Sequence, residues 1–181
     1  MKKVSRSKKI ILSVVLSFFV IIISLSFGSK KIYTEVEINA SEEQVWAIIS
    51  DLESYSEWNP FMKEAQGKLN AGEKLLMKLQ NGSLKLDPFE PTLLQVKPGM
   101  EINWIGRVAN IPKIFDGNHH LVIQRLSDDR VKFIQYEDFD GIVVSLTNMF
   151  YITLFKDTRE GFIKMNEALK AKAEGTKTDS N

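Results

Sequence analysis

Two histidines and one glutamate are the residues of this chain whose types and spacing could support chemistry. His119 and His120 lie in a strand-like segment at 118–126, and Glu137 lies in the next such segment, at 130–139. Successive side chains of a strand point to opposite faces of a sheet. His119 and His120 therefore cannot chelate one metal ion from a regular strand, whereas His119 and Glu137 can meet across neighbouring strands.

The pair formed by His119 and Glu137 permits two interpretations. An imidazole beside a carboxylate can exchange protons with a substrate, as a cyclase or dehydratase would require. The same two groups can instead form a hydrogen-bonded polar pair that satisfies itself inside the sheet or orients a ligand. The sequence favours the second interpretation, because it contains no nucleophile elbow, HExxH or Walker motif.

Composition excludes several classes of function. The chain has 181 residues and no cysteine, so disulfides, a thiol nucleophile, an iron–sulfur cluster and a cysteine-based zinc site are all ruled out. Its formal net charge is +1 and the charges are interspersed, which argues against a nucleic-acid-binding surface. No spacing of histidine and carboxylate residues matches a metal site. The sequence therefore predicts no cofactor, no metal and no nucleic-acid partner.

The N-terminal 29 residues have the pattern of a membrane-targeting segment. Several lysines and an arginine precede residues 10–27, a run of 18 residues without a charge. As a helix this run would span about 27 Å, close to the thickness of a bilayer core. We expect an uncleaved signal anchor or transmembrane segment at 1–29, with its N-terminus in the cytoplasm and the domain outside. The alternative is a signal peptide, removed after export so that the domain is secreted.

The segment after this run predicts a strand followed by two short helices. Residues 32–38 alternate in strand fashion, and Ser41 with Gln44 forms a capping-box pattern for the first helix. Asp51 is a candidate cap for the second helix. That helix should end at residues 58–60, because a residue before proline is disfavoured in the α conformation.

The remaining chain predicts strands and then one helix. Turn residues separate six predicted strands, at 63–68, 74–80, 84–96, 100–107, 118–126 and 130–139. The prolines within 84–96 predict a bulge or an edge position for that strand. From Ile142 the apolar period becomes 3.6, which predicts one long helix to about Ala173, with Gly161 as a point where it could bend. The polar tail at 174–181 is predicted to be disordered.

Six short motifs in this order resemble a known superfamily. They are Ile38-Asn39-Ala40-Ser41 with Val45-Trp46, Asp51 with Tyr55 and Trp58-Asn59-Pro60, Pro98-Gly99 with Ile102 and Trp104, Phe115-Asp116-Gly117 with His119, Phe133 to Gly141, and Gly161-Phe162 with Met165-Asn166. Together they resemble the SRPBCC or START-like superfamily, also called the Bet v 1-like helix-grip fold. The resemblance is closest to its bacterial polyketide cyclase/dehydrase-like members, and it places the ligand-binding domain at 32–173.

The resemblance implies an α+β domain whose seven-stranded antiparallel sheet curls around a long C-terminal helix. Two short helices follow the first strand, and the N-terminal hydrophobic helix precedes the domain. An apolar cavity is expected between sheet and helix, with His119 pointing inward and His120 outward. The implied ligand-binding residues are Trp58, Asn59, Phe61, Trp104, Phe115, His119, Gln135, Glu137, Phe139 and Phe150, of which Trp58, Asn59 and Phe61 are expected near the cavity mouth.

These expectations predict a domain that binds a small hydrophobic or amphipathic, lipid-like ligand at the outer face of the membrane. Its partners would be that ligand and the membrane itself, through residues 10–27. Two alternatives remain. One is a cyclase or dehydratase that uses His119 and Glu137 as acid and base. The other is an envelope protein that binds partner proteins and has a filled core without a ligand.

Overall fold

The computed structural model describes residues 6–25, 28–81, 84–85, 88–149 and 153–175. The elements are α1 (Arg6–Leu25), β1 (Ser29–Ile38), α2 (Glu42–Ser50), a short 3-10 turn (Leu52–Ser54), α3 (Tyr55–Trp58), β2 (Met62–Gln66), β3 (Leu76–Asn81), β4 (Leu84–Lys85), β5 (Thr92–Lys97), β6 (Glu101–Arg107), β7 (Asp116–Ser127), β8 (Arg130–Asp140), α4 (Ile142–Met149) and α5 (Leu154–Ala173). This is an α+β chain with antiparallel strands and a long C-terminal helix, as the sequence predicts.

The strands form two antiparallel sheets that are joined by backbone hydrogen bonds. One sheet has the order β1-β8-β7-β6-β5 and the other has the order β2-β3-β4. The amide of Leu75 donates to the carbonyl of Pro91 at 3.0 Å, and Met77 and Phe89 exchange two further bonds. The chain leading into β5 therefore pairs with the first residues of β3 and with the residue just before that strand. The predicted single sheet of seven strands is thus divided in two, with this short ladder as the connection.

The predicted strand at 84–96 is two strands in the structure. Neither Pro88 nor Pro91 belongs to a strand, and both lie between β4 and β5, because proline has no N–H to donate to a ladder. The register between β5 and β6 shifts between Leu93 and Gln95, which is a bulge of the kind that the prolines predict. The predicted edge position is also observed, since β5 ends the five-stranded sheet and β4 ends the three-stranded sheet. On its outer side β5 is bonded through Leu93 to Glu73 and Gly72.

Local capping explains where α2 begins. Ser41 Oγ accepts a hydrogen bond from the amide of Gln44 at 3.3 Å, and Gln44 Oε1 accepts one from the amide of Ser41 at 2.9 Å. The predicted capping box is therefore confirmed. Asp51 precedes the 3-10 turn, but its side chain makes no capping hydrogen bond, so that part of the prediction is wrong.

The predicted single C-terminal helix is two helices, α4 and α5, and residues 150–152 lie outside the described part. Thr153 precedes α5, and its hydroxyl donates to Asp157 Oδ2 at 3.1 Å across the first turn. The apolar period continues through both helices, so the sequence pattern does not indicate that α4 and α5 are separate helices. Helix α5 runs without interruption across Gly161.

One face of α5 closes the core against the sheet and the turn after α3. The buried residues on this face are Phe155, Thr158, Phe162, Met165, Asn166 and Leu169. Their spacing of three or four residues is that of one helical stripe. Asn166 is buried among them and donates from Nδ2 to the hydroxyl of Thr34 at 3.0 Å, which ties α5 to β1. The helix is therefore held on the sheet by apolar contacts and by a buried hydrogen bond.

Helix α1 lies outside this core. Its apolar side chains between Ile10 and Ile21 are largely exposed to solvent in the isolated chain. Over the described ranges, no helix is both long and apolar enough to cross a membrane, so the structure does not support the predicted transmembrane helix. Residues 26–27 and 176–181 are outside the described part, and the predicted boundaries at 1–29, 32–173 and 174–181 stay predictions.

Candidate ligand cavity

A mostly apolar cavity of about 630 Å³ lies between the sheet, α5 and the loop after β6. Its lining residues are Phe61, Leu79, Pro88, Phe89, Gly106, Arg107, Val108, Ala109, Phe115, Gly117, Glu137, Phe139, Leu154 and Thr158. The volume falls within the range of about 300–1,000 Å³ that is usual for small-molecule sites. The fold therefore leaves room for a ligand where the resemblance predicts one.

The mouth of the cavity is formed by its exposed lining residues. These are Pro88, Arg107, Val108 and Ala109, whereas Phe61, Phe139 and Thr158 at the inner part are buried. Val108 begins a short 3-10 turn, and φ is positive at Ala109 and Asn110 within this turn and at Lys113 in the loop that follows. A non-glycine residue adopts this conformation at some cost in energy. The amides of Ile142 and Val143 donate to the carbonyls of Lys113 and Ile114, and these bonds hold the end of the loop.

His119 on β7 is buried beside the inner end of the cavity. Its ring stacks on Trp104 with centroids 4.4 Å apart, and it makes a T-shaped contact with the Phe162 ring, with centroids 4.8 Å apart. Nε2 is 3.1 Å from Gln135 Nε2, and Nδ1 is 3.2 Å from Glu137 Oε2. If the amide of Gln135 donates to Nε2, the proton of the neutral ring is on Nδ1 and is donated to the Glu137 carboxylate. Both nitrogens are therefore engaged with protein groups.

Glu137 on β8 is directly opposite His119 in the register and lines the cavity. Its side chain is 15% exposed, and Oε2 is held by His119. The other oxygen, Oε1, lies over Gly117, where a Cβ atom would overlap it. Gly117 therefore provides the space in which this carboxylate can lie at the wall of an apolar cavity.

His120 lies on the opposite face of the sheet, as strand alternation predicts. Its ring stacks on Tyr136 with centroids 4.2 Å apart, and Nδ1 is 2.8 Å from Glu101 Oε1. Asn103 Nδ2 is 3.0 Å from Nε2 of the same ring. This cluster does not contact the cavity. Among the described residues, no group of three histidine or carboxylate side chains could hold a metal ion.

The structure brings most of the predicted site residues together. Phe61, Phe115, Glu137 and Phe139 line the main cavity. Trp104 and His119 line a small pocket of about 30 Å³ that shares Phe61, Phe89 and Glu137 with the cavity. Gln135 is fully buried behind His119 and contacts the site only through that ring. Phe150 is outside the described part of the chain.

Trp58 and Asn59 are not placed at the cavity mouth, contrary to expectation. They lie in a shallow groove between α3 and α5 together with Lys63 and Lys164. Asn59 Oδ1 accepts hydrogen bonds from the amides of Phe61, at 3.0 Å, and of Met62, at 2.8 Å. These bonds turn the chain so that the Phe61 side chain becomes part of the cavity wall. The Trp58 ring instead packs edge-on against Tyr55, with centroids 5.2 Å apart. Asn59 therefore positions a lining residue without lining the cavity itself.

Sequence reasoning missed several lining residues. Arg107 ends β6, and Val108 and Ala109 lie in the loop that follows, whose closeness to α5 has no sequence signal. Leu154 and Thr158 could have been predicted, because they share a helical face with Phe162, which belongs to one of the motifs. Gly117 belongs to the motif Phe115-Asp116-Gly117, but its importance depends on the Glu137 side chain, which lies on the neighbouring strand.

A curved antiparallel sheet that grips a C-terminal helix over an apolar cavity defines the helix-grip class of ligand-binding domain. The profile of the family described as polyketide cyclase / dehydrase and lipid transport matches residues 29–174. The chain belongs to this family, which confirms the resemblance to the SRPBCC and START-like proteins. No curated protein sequence matches the chain.

Solved structures with the same fold are distant in sequence. A START superfamily protein from Mycobacterium smegmatis is 20% identical, with a TM-score of 0.59, and the match covers 80% of this chain and 97% of that one. The Zhui aromatase/cyclase from Streptomyces sp. R1128 is 11% identical, with a TM-score of 0.61, and covers 81% and 94%. Norcoclaurine synthase from Thalictrum flavum, in complex with dopamine and hydroxybenzaldehyde, is 14% identical, with a TM-score of 0.60, and covers 86% and 92%. These likenesses concern the fold.

Proposed function

We propose that this domain binds a small hydrophobic or amphipathic molecule in the cavity between its sheet and α5. The observation that carries the proposal is the apolar cavity of about 630 Å³ with one carboxylate, Glu137, at its wall. Burying apolar ligand surface there contributes about 25 cal/mol per Å² before the ordering costs of binding. Glu137, with His119 and Gln135 behind it, orients the polar end of the ligand.

Obstructing the cavity tests this proposal. Leu154 lines the cavity at the start of α5, and we expect Leu154→Trp to weaken the binding of N-phenylnaphthylamine at least about tenfold, because the indole occupies ligand volume. Binding to the full-length chain is measured by energy transfer from the tryptophans to the probe. Arg159→Trp is the matched control, since Arg159 is exposed on the same helix and does not line the cavity.

Both variants add one tryptophan, which is the energy-transfer donor, and they place its indole inside and outside the cavity, respectively. Equal affinities in Leu154→Trp, Arg159→Trp and the parent chain would show that the probe binds elsewhere. The proposal would then fail. Far-ultraviolet circular dichroism of each variant checks that a loss of binding is not a loss of folding.

An enzyme is the second candidate, and the contact of 3.2 Å between His119 Nδ1 and Glu137 Oε2 favours it. In that case Glu137 alone would meet the substrate, because the His119 side chain is only 3% exposed and both its nitrogens are engaged. Mass spectrometry of a co-purified ligand before and after incubation separates the candidates. A change of ligand mass that Glu137→Gln abolishes would support the enzyme, whereas an unchanged ligand supports binding.

The filled-core alternative has less support. A protein of that kind would pack side chains into the space between sheet and helix, as protein interiors normally do. The cavity here is instead large enough for a small molecule and has a mouth at Val108 and Ala109. This observation favours a ligand over a filled core.

For the location of the domain, we infer membrane association through residues 10–27, with the cavity mouth facing the membrane surface. Ser29 pairs with Asp140 at the start of β1, and the amides of Gly141 and Ile142 bond to Gly28 and Lys113. The preceding segment therefore leaves the domain from the end that carries the loop after β6. That loop exposes Ile111, at 50%, beside the mouth. The placement supports transfer of an apolar ligand directly between lipid and cavity.

Site-specific labelling tests this orientation, and the absence of native cysteine makes a single label unambiguous. Ile111→Cys and Met100→Cys are compared after attachment of a polarity-sensitive fluorophore, because the two side chains are similarly exposed, at 50% and 55%. Met100 precedes β6 and Ile111 follows it, so the labels lie roughly 23 Å apart along the strand.

We expect vesicles of phosphatidylcholine and phosphatidylglycerol to shift the emission of the label at position 111 to the blue and to leave that at position 100 unchanged. A shift at neither position, or an equal shift at both, would contradict the proposed orientation. Ligand binding by the cavity is measured separately and does not depend on this result.

A further inference from the structure

We infer that the cavity selects ligands whose buried end donates hydrogen bonds, above all a protonated amine, and disfavours ligands whose buried end is a carboxylate. The inference rests on the proposed ligand-binding function and specifies the chemistry of the ligand. It follows from the charge and the free hydrogen-bonding capacity of the groups at the cavity wall.

Glu137 presents acceptor capacity to the cavity. An ionised carboxylate has about four lone-pair sites and no donor. One oxygen of Glu137, Oε2, meets His119 Nδ1 at 3.2 Å. Among the described residues, no donor is within hydrogen-bonding distance of the other oxygen, Oε1, which lies over Gly117. A ligand group that reaches this oxygen must therefore supply a hydrogen.

Among the described residues, no basic side chain offsets this charge at the inner wall of the cavity. Arg107 is the basic residue of the lining, but it lies at the mouth and its Nε is 3.4 Å from Asp116 Oδ2. Lys113, in the same loop, pairs with Asp140. His119 is the nearest ionisable group to Glu137, and its Nδ1 is already engaged with Oε2 at 3.2 Å. Among the described lining residues, Glu137 therefore lies at the inner wall without a lysine or arginine beside it.

The apolar surroundings increase the effect of this charge. The other lining residues near the inner end are Phe61, Phe139 and Thr158, and Thr158 donates its hydroxyl proton to the carbonyl of Leu154 at 2.7 Å. Electrostatic interactions are stronger in such an environment than in water. An ammonium group brought here is paired with Glu137, whereas a ligand carboxylate would be desolvated beside a like charge.

A series of ligands that differ only in the head group tests the inference. Decylamine, decanol and decanoate are allowed to displace N-phenylnaphthylamine from the full-length chain at pH 7. We expect the amine to bind most tightly and the carboxylate most weakly. In Glu137→Gln we expect the amine to lose at least about tenfold in affinity and the alcohol a few-fold, because hydrogen bonds to charged groups are about twice as strong as neutral ones. Decanoate should bind as before or more tightly.

Two further variants control for indirect effects. Glu101→Gln removes one carboxylate with the same change of charge, but Glu101 contacts His120 on the outer face of the sheet. It should leave the order of the three ligands unchanged. Gly117→Ala keeps the charge but displaces Oε1, which is the end of a flexible side chain, so we expect part of the amine preference to be lost with little change in stability.

The outcomes separate this inference from the proposed function. If the probe and all three decyl ligands fail to bind, the ligand-binding function itself is contradicted. If they bind but decanoate matches decylamine, or if Glu137→Gln leaves the order unchanged, only the selectivity inference is overturned. A loss of the amine preference in Glu137→Gln, but not in Glu101→Gln, supports it.

Discussion

Replacing Gly161 by alanine is expected to destabilise the domain by about 1–3 kcal/mol, which is the usual range for overpacking a protein core. In an exposed helix interior the same substitution is stabilising by about 0.5–1 kcal/mol, because glycine loses more backbone entropy on folding. The sign is reversed here because the Phe61 ring lies where the new methyl group must go, with Cε2 only 2.8 Å from the position of Cβ.

The Phe61 ring has little freedom to move away from α5. It packs edge-on against Phe162 with centroids 5.4 Å apart, and the two hydrogen bonds of Asn59 hold the backbone that carries it. The cavity wall and the helix therefore meet at Gly161. Displacing Phe61 would also alter the shape of the cavity that it lines.

Urea unfolding of the full-length chain, followed by circular dichroism, measures this change in the free energy of unfolding. The matched background is Phe61→Leu, in which the ring is absent. There we expect Gly161→Ala to be neutral or stabilising, so that the two substitutions are strongly non-additive. A stabilising Gly161→Ala in the parent chain would show that the ring does not restrict this position.

Replacing His119 by phenylalanine is expected to cost about 2–4 kcal/mol, because each buried polar group left without a partner costs about 1–3 kcal/mol. The phenyl ring can keep the stack on Trp104, so the loss comes from the two hydrogen bonds. Gln135 is fully buried, so water cannot replace the hydrogen bond that its side chain loses, whereas Glu137 retains some access to the cavity. The variant should also weaken the preference for an amine, since Glu137 is no longer held.

The neighbouring histidine supplies the control. His120→Phe deletes a similar pair of hydrogen bonds on the outer face, where both His120 and Glu101 are partly exposed and water can replace the lost partner. We expect it to cost less than His119→Phe, because the His120 and Glu101 side chains are 14% and 16% exposed against 3% for His119, and Asn103 Nδ2 keeps its bonds to Asn118 and to the carbonyl of His119. Equal losses for the two variants, in the same urea experiment, would contradict the importance of burial at His119.

Alternation along β7 and β8 was sufficient to predict the relation between His119, His120 and Glu137. The period of a strand is set by backbone geometry, so two adjacent histidines must face opposite ways wherever the strand is placed. The capping box at Ser41 is equally local, because its two hydrogen bonds join residues three apart. Both features are confirmed by the structure.

Non-local features were predicted less well. The apolar pattern from Ile142 onward does not show that α4 ends at Met149 and that α5 begins at Leu154. Trp58 and Asn59 were expected near the cavity mouth, and the turn that Asn59 closes places them on another surface. Gly161 was interpreted as a helix weakness, but its small size accommodates a ring from a distant segment.

The sequence by itself determined the family, the α+β order of elements, and the face of the sheet on which His119 and Glu137 lie. These follow from local periodicity, from turn chemistry and from motifs in a fixed order. Only the tertiary structure decided which residues line the cavity, where its mouth lies, and that Gly117 accommodates the Glu137 carboxylate. Those properties depend on contacts between β7, β8, α5 and the loop after β6, and the positions of such contacts have no local sequence signal.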